Sequence, residues 1–207
     1  IDVSGQGVNI QGNGTIQTSE TTHLIYNSGT LAVQGDVTVK SNVTASGYYP
    51  TILNAGAAYI RGNSKIIGGS YVALATTGTT EINEKANLSV VSANRTIELA
   101  NSGSTYIKGN ATITNPSTGI LKASTGILQI EGGTVRGNNG ASGGQAIQIG
   151  AEAANDVNII NGTIDGGYTG ILSESNLATN LVINGGTVQG GAVGVWSKNH
   201  ATTSTNG

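Results

Sequence analysis

The sequence predicts an all-β fold, a right-handed parallel β-helix (β-solenoid) of about eight rungs. Three observations predict it: a repeated unit, two columns of branched apolar residues, and a composition rich in glycine and poor in aromatic residues. The unit is clearest in Thr105-Tyr106-Ile107-Lys108-Gly109-Asn110-Ala111-Thr112-Ile113, which is a short apolar strand, a glycine turn and a Thr-Ile pair. Versions of it begin at Val8, Leu31, Ala58, Thr80, Leu128, Val157 and Leu181, spaced roughly 22 to 29 residues apart, a period expected of solenoids.

Laid over one another, the units align Ile10, Val33, Ile60, Ile82, Ile107, Ile130, Ile159 and Ile183 in one column. Ile16, Val39, Ile66, Leu88, Ile113, Val135, Ile164 and Val188 fall in a second. Branched residues favour strands and stack well on one another. Because side chains alternate along a strand, Val8 and Ile10 point inward while Asn9 and Gln11 point outward. The right hand follows from the handedness of nearly all parallel crossovers.

The composition agrees. The chain has 207 residues, 33 of them glycine and only two proline, with no phenylalanine, methionine or cysteine. A narrow solenoid core needs small and branched residues that repeat from rung to rung, so the missing aromatics follow from the fold. Without cysteine there is no disulfide, thiolate metal site or cysteine nucleophile. A net charge of -2 with 10% charged residues provides no basic field for nucleic acid or an anionic membrane. No apolar run is long enough to span a membrane. A start at Ile1-Asp2-Val3 reads as a piece of a longer, secreted precursor.

In chain order, residues 1–7 read as an N-terminal cap or partial rung, 8–200 as the solenoid, and 201–207 as a linker or the start of a further rung. The glycines after the first strand of the unit (Gly12, Gly35, Gly62, Gly109, Gly132, Gly185) are expected at positive φ, which costs glycine nothing. Rung four lacks this glycine and reads Asn83-Glu84-Lys85-Ala86, and rungs six to eight shorten the corner by one residue. Two insertions, residues 41–50 and 136–144, occupy equivalent places four rungs apart. The sole tryptophan, Trp196, is expected to cap the last core layer.

Two outward ladders carry the functional candidates. Thr15, Thr38, Lys65, Asn87, Thr112, Thr134, Thr163 and Thr187 form one. An ice-matching surface would need a second threonine two residues on, and only Thr112-Ile113-Thr114 has it, so this ladder reads as stacked β-formers. The other runs past the first column and turns aromatic and charged in the middle, at Tyr59, Arg61, Glu81, Tyr106 and Lys108. Two tyrosines two rungs apart lie about 10 Å from each other around one carboxylate, a spacing on the scale of two sugar rings. Aromatic faces stack on sugars while charged groups fix hydroxyls. Tyr48 and Tyr49, on the first insertion, are expected to reach toward this site if their loop folds that way.

Enzyme chemistry has little support. The four aspartates (Asp2, Asp36, Asp156, Asp165) fall in different columns, His23 and His200 lie at opposite ends, and no nucleophile elbow occurs. No cofactor or metal is expected. The sequons at Asn13, Asn42, Asn87, Asn94, Asn110 and Asn161 mostly coincide with corners, where turn chemistry accounts for them.

The units Ile130-Glu131-Gly132-Gly133-Thr134-Val135 and Ile183-Asn184-Gly185-Gly186-Thr187-Val188 resemble those of pectate-lyase-like right-handed parallel β-helices in bacterial surface proteins. The chain is similar to the binding regions of serine-rich repeat adhesins and, more loosely, to autotransporter passengers. The resemblance implies display at the cell surface or cell wall and adhesion to host or matrix glycans or proteins. The lyases of that superfamily use aspartates and a basic residue that have no matching constellation here. The expectation is therefore a non-catalytic binding domain. The alternatives are a polysaccharide lyase or hydrolase, and a structural stalk.

Overall fold

The structure, a computed structural model, describes the chain apart from residues 93, 139–142, 155, 178–179, 199–201 and 206–207, and the backbone alone at 202–205. Its described residues form strands and no helix, coiled into about eight turns in which every strand pairing is parallel. Each turn lays down three strand segments. The first two sides belong to one 15-stranded sheet. Gly7–Thr18 and Thr30–Ser41 run unbroken across both sides, whereas each later turn splits in two, as in Ala57–Ile60 and Lys65–Gly68. The third side is a nine-stranded sheet from Asp2–Val3 to Val193–Ser197.

Both expected columns are continuous, Ile10 to Ile183 on the first side and Ile16 to Val188 on the second. From rung two to rung seven their members are fully buried. The end members Ile10, Ile16, Ile183 and Val188 are only partly buried. Each fully buried branched residue contributes on the order of 2 kcal/mol of hydrophobic stabilisation. A third column completes the core on the third side: Ile25, Ile52, Leu74, Ile97, Ile120, Ile147, Ile171 and Val195. The sequence shows part of it, as a second apolar segment closing several units at Ile52, Ile97 and Ile120, but the loops before it differ in length and blur the period.

The corner between the first and second sides corrects one expectation. Gly12, Gly35, Gly62 and Gly109 take positive φ, but in the shortened corners the reversal moves to the following residue, so Gly133 and Gly186 carry it and Gly132 and Gly185 do not. With one residue fewer, the chain has to turn immediately before the threonine. In rung four Glu84 itself takes φ 61°. Such a conformation costs a non-glycine residue about 1–2 kcal/mol. Local bonds offset it: Glu84 Oε2 accepts from the Gly62 N–H at 2.7 Å, and Asn83 Oδ1 accepts from the Glu84 N–H at 2.7 Å.

The interior is not wholly apolar. Asn27 Nδ2 donates to Asn54 Oδ1 at 2.6 Å, and Asn54 Nδ2 donates to Thr76 Oγ1 at 3.1 Å. The same amides also reach the carbonyls of Ala57 and Thr79, tying the third side to the next turn. Two turns beyond Thr76 in this inward column, after Leu99, comes Lys122. It is fully buried and donates from Nζ to the carbonyls of Ser124 (2.8 Å) and Ala154 (2.7 Å).

Trp196 does not cap the core. Its register partner is the outward Leu172, it is 42% exposed, and Lys198 Nζ lies 5.3 Å from its ring centroid, while Val195 fills the inward position. Strand pairing extends to both ends of the described chain: Asp2–Val3 pairs with Ile25–Asn27, and Thr202–Thr205 pairs with Asn180–Ile183.

Candidate functional site

The outward ladder of the first side is built by register. Asn9, Ala32, Tyr59, Glu81, Tyr106, Gln129, Asn158 and Val182 stand on successive strands, so Glu81 lies directly between the two tyrosines. At one strand spacing per step, Tyr59 and Tyr106 are about 10 Å apart. Arg61 and Lys108 follow two residues after the tyrosines on the same outward face, which brings both onto Glu81. Arg61 Nη2 lies 3.1 Å from Glu81 Oε1 and Lys108 Nζ 3.1 Å from Oε2. Lys108 also lies 3.9 Å from Glu131 Oε1, and the Arg61 guanidinium sits 5.0 Å from the Tyr59 ring centroid.

Partial burial opposes ionisation of Glu81, but the hydrogen bond and charge of Lys108, joined by Arg61, outweigh it and hold the carboxyl below the usual carboxylate range. The hydrogen bond to Glu81 correspondingly raises the Lys108 ammonium above the usual lysine value. The result is a tyrosine-flanked, internally neutralised patch whose rings and side chains are partly exposed. Five of the seven residues singled out from the sequence thus come together: Tyr59, Arg61, Glu81, Tyr106 and Lys108.

Tyr48 and Tyr49 do not join them. Their loop leaves the coil between the second and third sides, away from the first-side ladder. Tyr48, 50% exposed, packs its ring 4.6 Å from that of Tyr71 in the next turn. Tyr71 donates its hydroxyl to Glu98 Oε2 at 3.0 Å, with Arg95 5.8 Å from the ring centroid and 3.7 Å from Glu98. This second cluster was not legible in the sequence, because Tyr71, Arg95 and Glu98 sit at different places in their units. Beside the loop a cleft of about 350 Å³ exposes Val91, 73% accessible, next to Val43. The second insertion leaves at the equivalent corner, and its residues 139–142 lie outside the described residues, as does His200.

A groove of about 450 Å³ adjoins the first-side ladder at the corner with the second side. Its floor is the glycine stack Gly12, Gly35 and Gly62, and its walls carry Gln11, Gln34, Arg61 and Glu84. Gln34 Nε2 donates to Asn9 Oδ1 (3.1 Å) and Gln11 Oε1 (3.0 Å), which aligns the exposed amides in a row. The missing corner glycine at Glu84 is a sequence feature that falls on this groove.

The aspartates stay apart: Asp36 accepts from Asn63 Nδ2, whereas Asp165 pairs with Arg136 at 2.9 Å. Among the described residues no three histidine or acidic side chains are placed to hold a metal. No family model, no curated protein and no solved structure matches the chain. The likeness to surface adhesins therefore rests on the repeat residues themselves.

Proposed function

We propose that this chain is a non-catalytic binding module of a secreted or cell-surface adhesin, and that it holds a host or matrix glycan against its first side. The observation that carries the reading is the Tyr59–Glu81–Tyr106 ladder with Arg61 and Lys108 clamped on its central carboxylate. A solenoid that only spaces other domains can repeat its surface indefinitely. Here Tyr59, Arg61 and Glu81 stand in the two turns where the threonine ladder reads Lys65 and Asn87 and where one corner glycine gives way to Glu84, and Tyr106 and Lys108 stand in the turn directly after them. Local departure from a working repeat is where function is expected. Rigid strands hold the two rings in place, so little side-chain entropy is lost when a sugar stacks on them.

A glycan array run together with a polysaccharide depolymerisation assay tests the reading. Binding without product is expected. The Tyr59→Ala/Tyr106→Ala variant should melt like the wild type and bind roughly tenfold or more weakly. Product formation would replace the reading with a lyase or hydrolase, and absence of any ligand would leave a structural stalk.

A further inference from the structure

We infer that the glycan is uncharged, and that it extends from the tyrosine ladder into the corner groove, lying along the solenoid axis over the first five turns. This rests on the reading of the first side as a glycan-binding face and specifies which glycan class it takes.

The charge pattern carries the first half. An anionic sugar needs a cation whose charge is not already balanced, since a desolvated carboxylate or sulfate without a counter-charge is costly. The charges of the two ladder cations are already balanced, although Arg61 Nε has no hydrogen-bond partner of its own. Arg61 and Lys108 both pair with Glu81, and Lys108 also lies close to Glu131. Glu84 on the groove wall and Asp36 beside it add further negative charge, their carboxylates accepting from the Gly62 N–H and from Asn63. A uronate or sulfate would meet these carboxylates beside two cations whose charge is already balanced.

The groove chemistry carries the second half. Its walls present primary amides, which offer two donors and one acceptor oxygen each and match hydroxyls, themselves both donors and acceptors. Gln34 uses Nε2 on Asn9 and Gln11, while its Oε1 accepts from no described residue. The floor is the backbone of Gly12, Gly35 and Gly62, which presents no side chain to a ring lying over the corner. From Gly12 to Glu84 the groove spans three strand spacings, on the order of 14 Å, long enough for a short oligosaccharide. Arg61 lines the groove and also stands over Tyr59, which makes the two surfaces continuous.

The test is isothermal titration of the whole chain with neutral hexaoses (cello-, manno- and galacto-series) and with anionic ones (hexagalacturonate and a heparin hexasaccharide). It is repeated on Gln11→Ala/Gln34→Ala and on Tyr59→Ala/Tyr106→Ala, with melting curves as the folding control. The expected result is binding of a neutral hexaose, weakened on the order of tenfold in the glutamine variant and also weakened in the tyrosine variant. Preferential binding of an anionic hexaose overturns the inference while leaving the first side a glycan-binding face. So does neutral binding that the tyrosine variant loses and the glutamine variant keeps. If no oligosaccharide binds, the glycan reading falls and takes this inference with it.

Discussion

Lys122 offers a stringent check on the interior. Its side chain occupies an inward position between Leu99 and Ile149, with no exposed surface and only two carbonyl acceptors. Burial lowers its pKa from the ordinary 10.5 to about 8, although the Asp156 carboxylate acts in the opposite direction. At about 1.4 kcal/mol for each tenfold change in proton affinity, that gap corresponds to on the order of 3 kcal/mol. The sign follows from linkage. The folded pKa lies below the unfolded one, so between pH 8 and 10.5 the unfolded chain holds the proton more than the folded chain does, and stability rises with pH. Below pH 8 both states are protonated and this contribution is flat, with the burial penalty fully present.

The measurement is guanidinium unfolding of wild type and Lys122→Met from pH 7 to pH 10, followed by far-ultraviolet circular dichroism. Methionine has similar length and does not titrate, and the loss of the two carbonyl contacts adds a constant offset. Other groups titrate in both proteins and cancel in the difference. Wild type should gain about 2 kcal/mol relative to the variant between pH 8 and pH 10. A difference that stays flat or declines over that range would mean that Lys122 reaches solvent, and the placement of the third column would then be wrong.

Two further outcomes are expected. Ile107→Asp puts an unpaired carboxylate between Ile82 and Ile130 and should cost on the order of 5 kcal/mol or more, whereas Thr112→Ser on the outer ladder should stay within about 0.5 kcal/mol; similar melting temperatures would refute the face assignment. Glu81→Gln removes only partly exposed ion pairs, so stability should fall by about 1 kcal/mol or less. It also releases Arg61 and Lys108, so affinity for hexagalacturonate should rise in the same titrations, and an unchanged preference would show that Glu81 does not set the charge of the site.

The first two core columns and the outward ladder could be read from the residues because each copy of the unit keeps a constant offset from its branched residue to its neighbours. A strand's two-residue period then decides which side chains face the core, and parallel stacking puts equal positions of consecutive units next to one another. Tyr59, Glu81 and Tyr106 were therefore bound to be neighbours once the repeat was seen. What depended on the folded chain was everything governed by the variable loops. The corner through which residues 41–50 leave the coil sends Tyr48 to Tyr71 rather than to Tyr59. Shortened corners move the left-handed residue from Gly132 to Gly133. Lys122 reads as a surface residue by type, yet its offset from Ile120 makes it an inward position, and only the carbonyls of Ser124 and Ala154, brought near by the coil, make that position tenable. Constant spacing transmits structure along a sequence, and where the spacing varies, neighbours far apart in the chain decide the outcome.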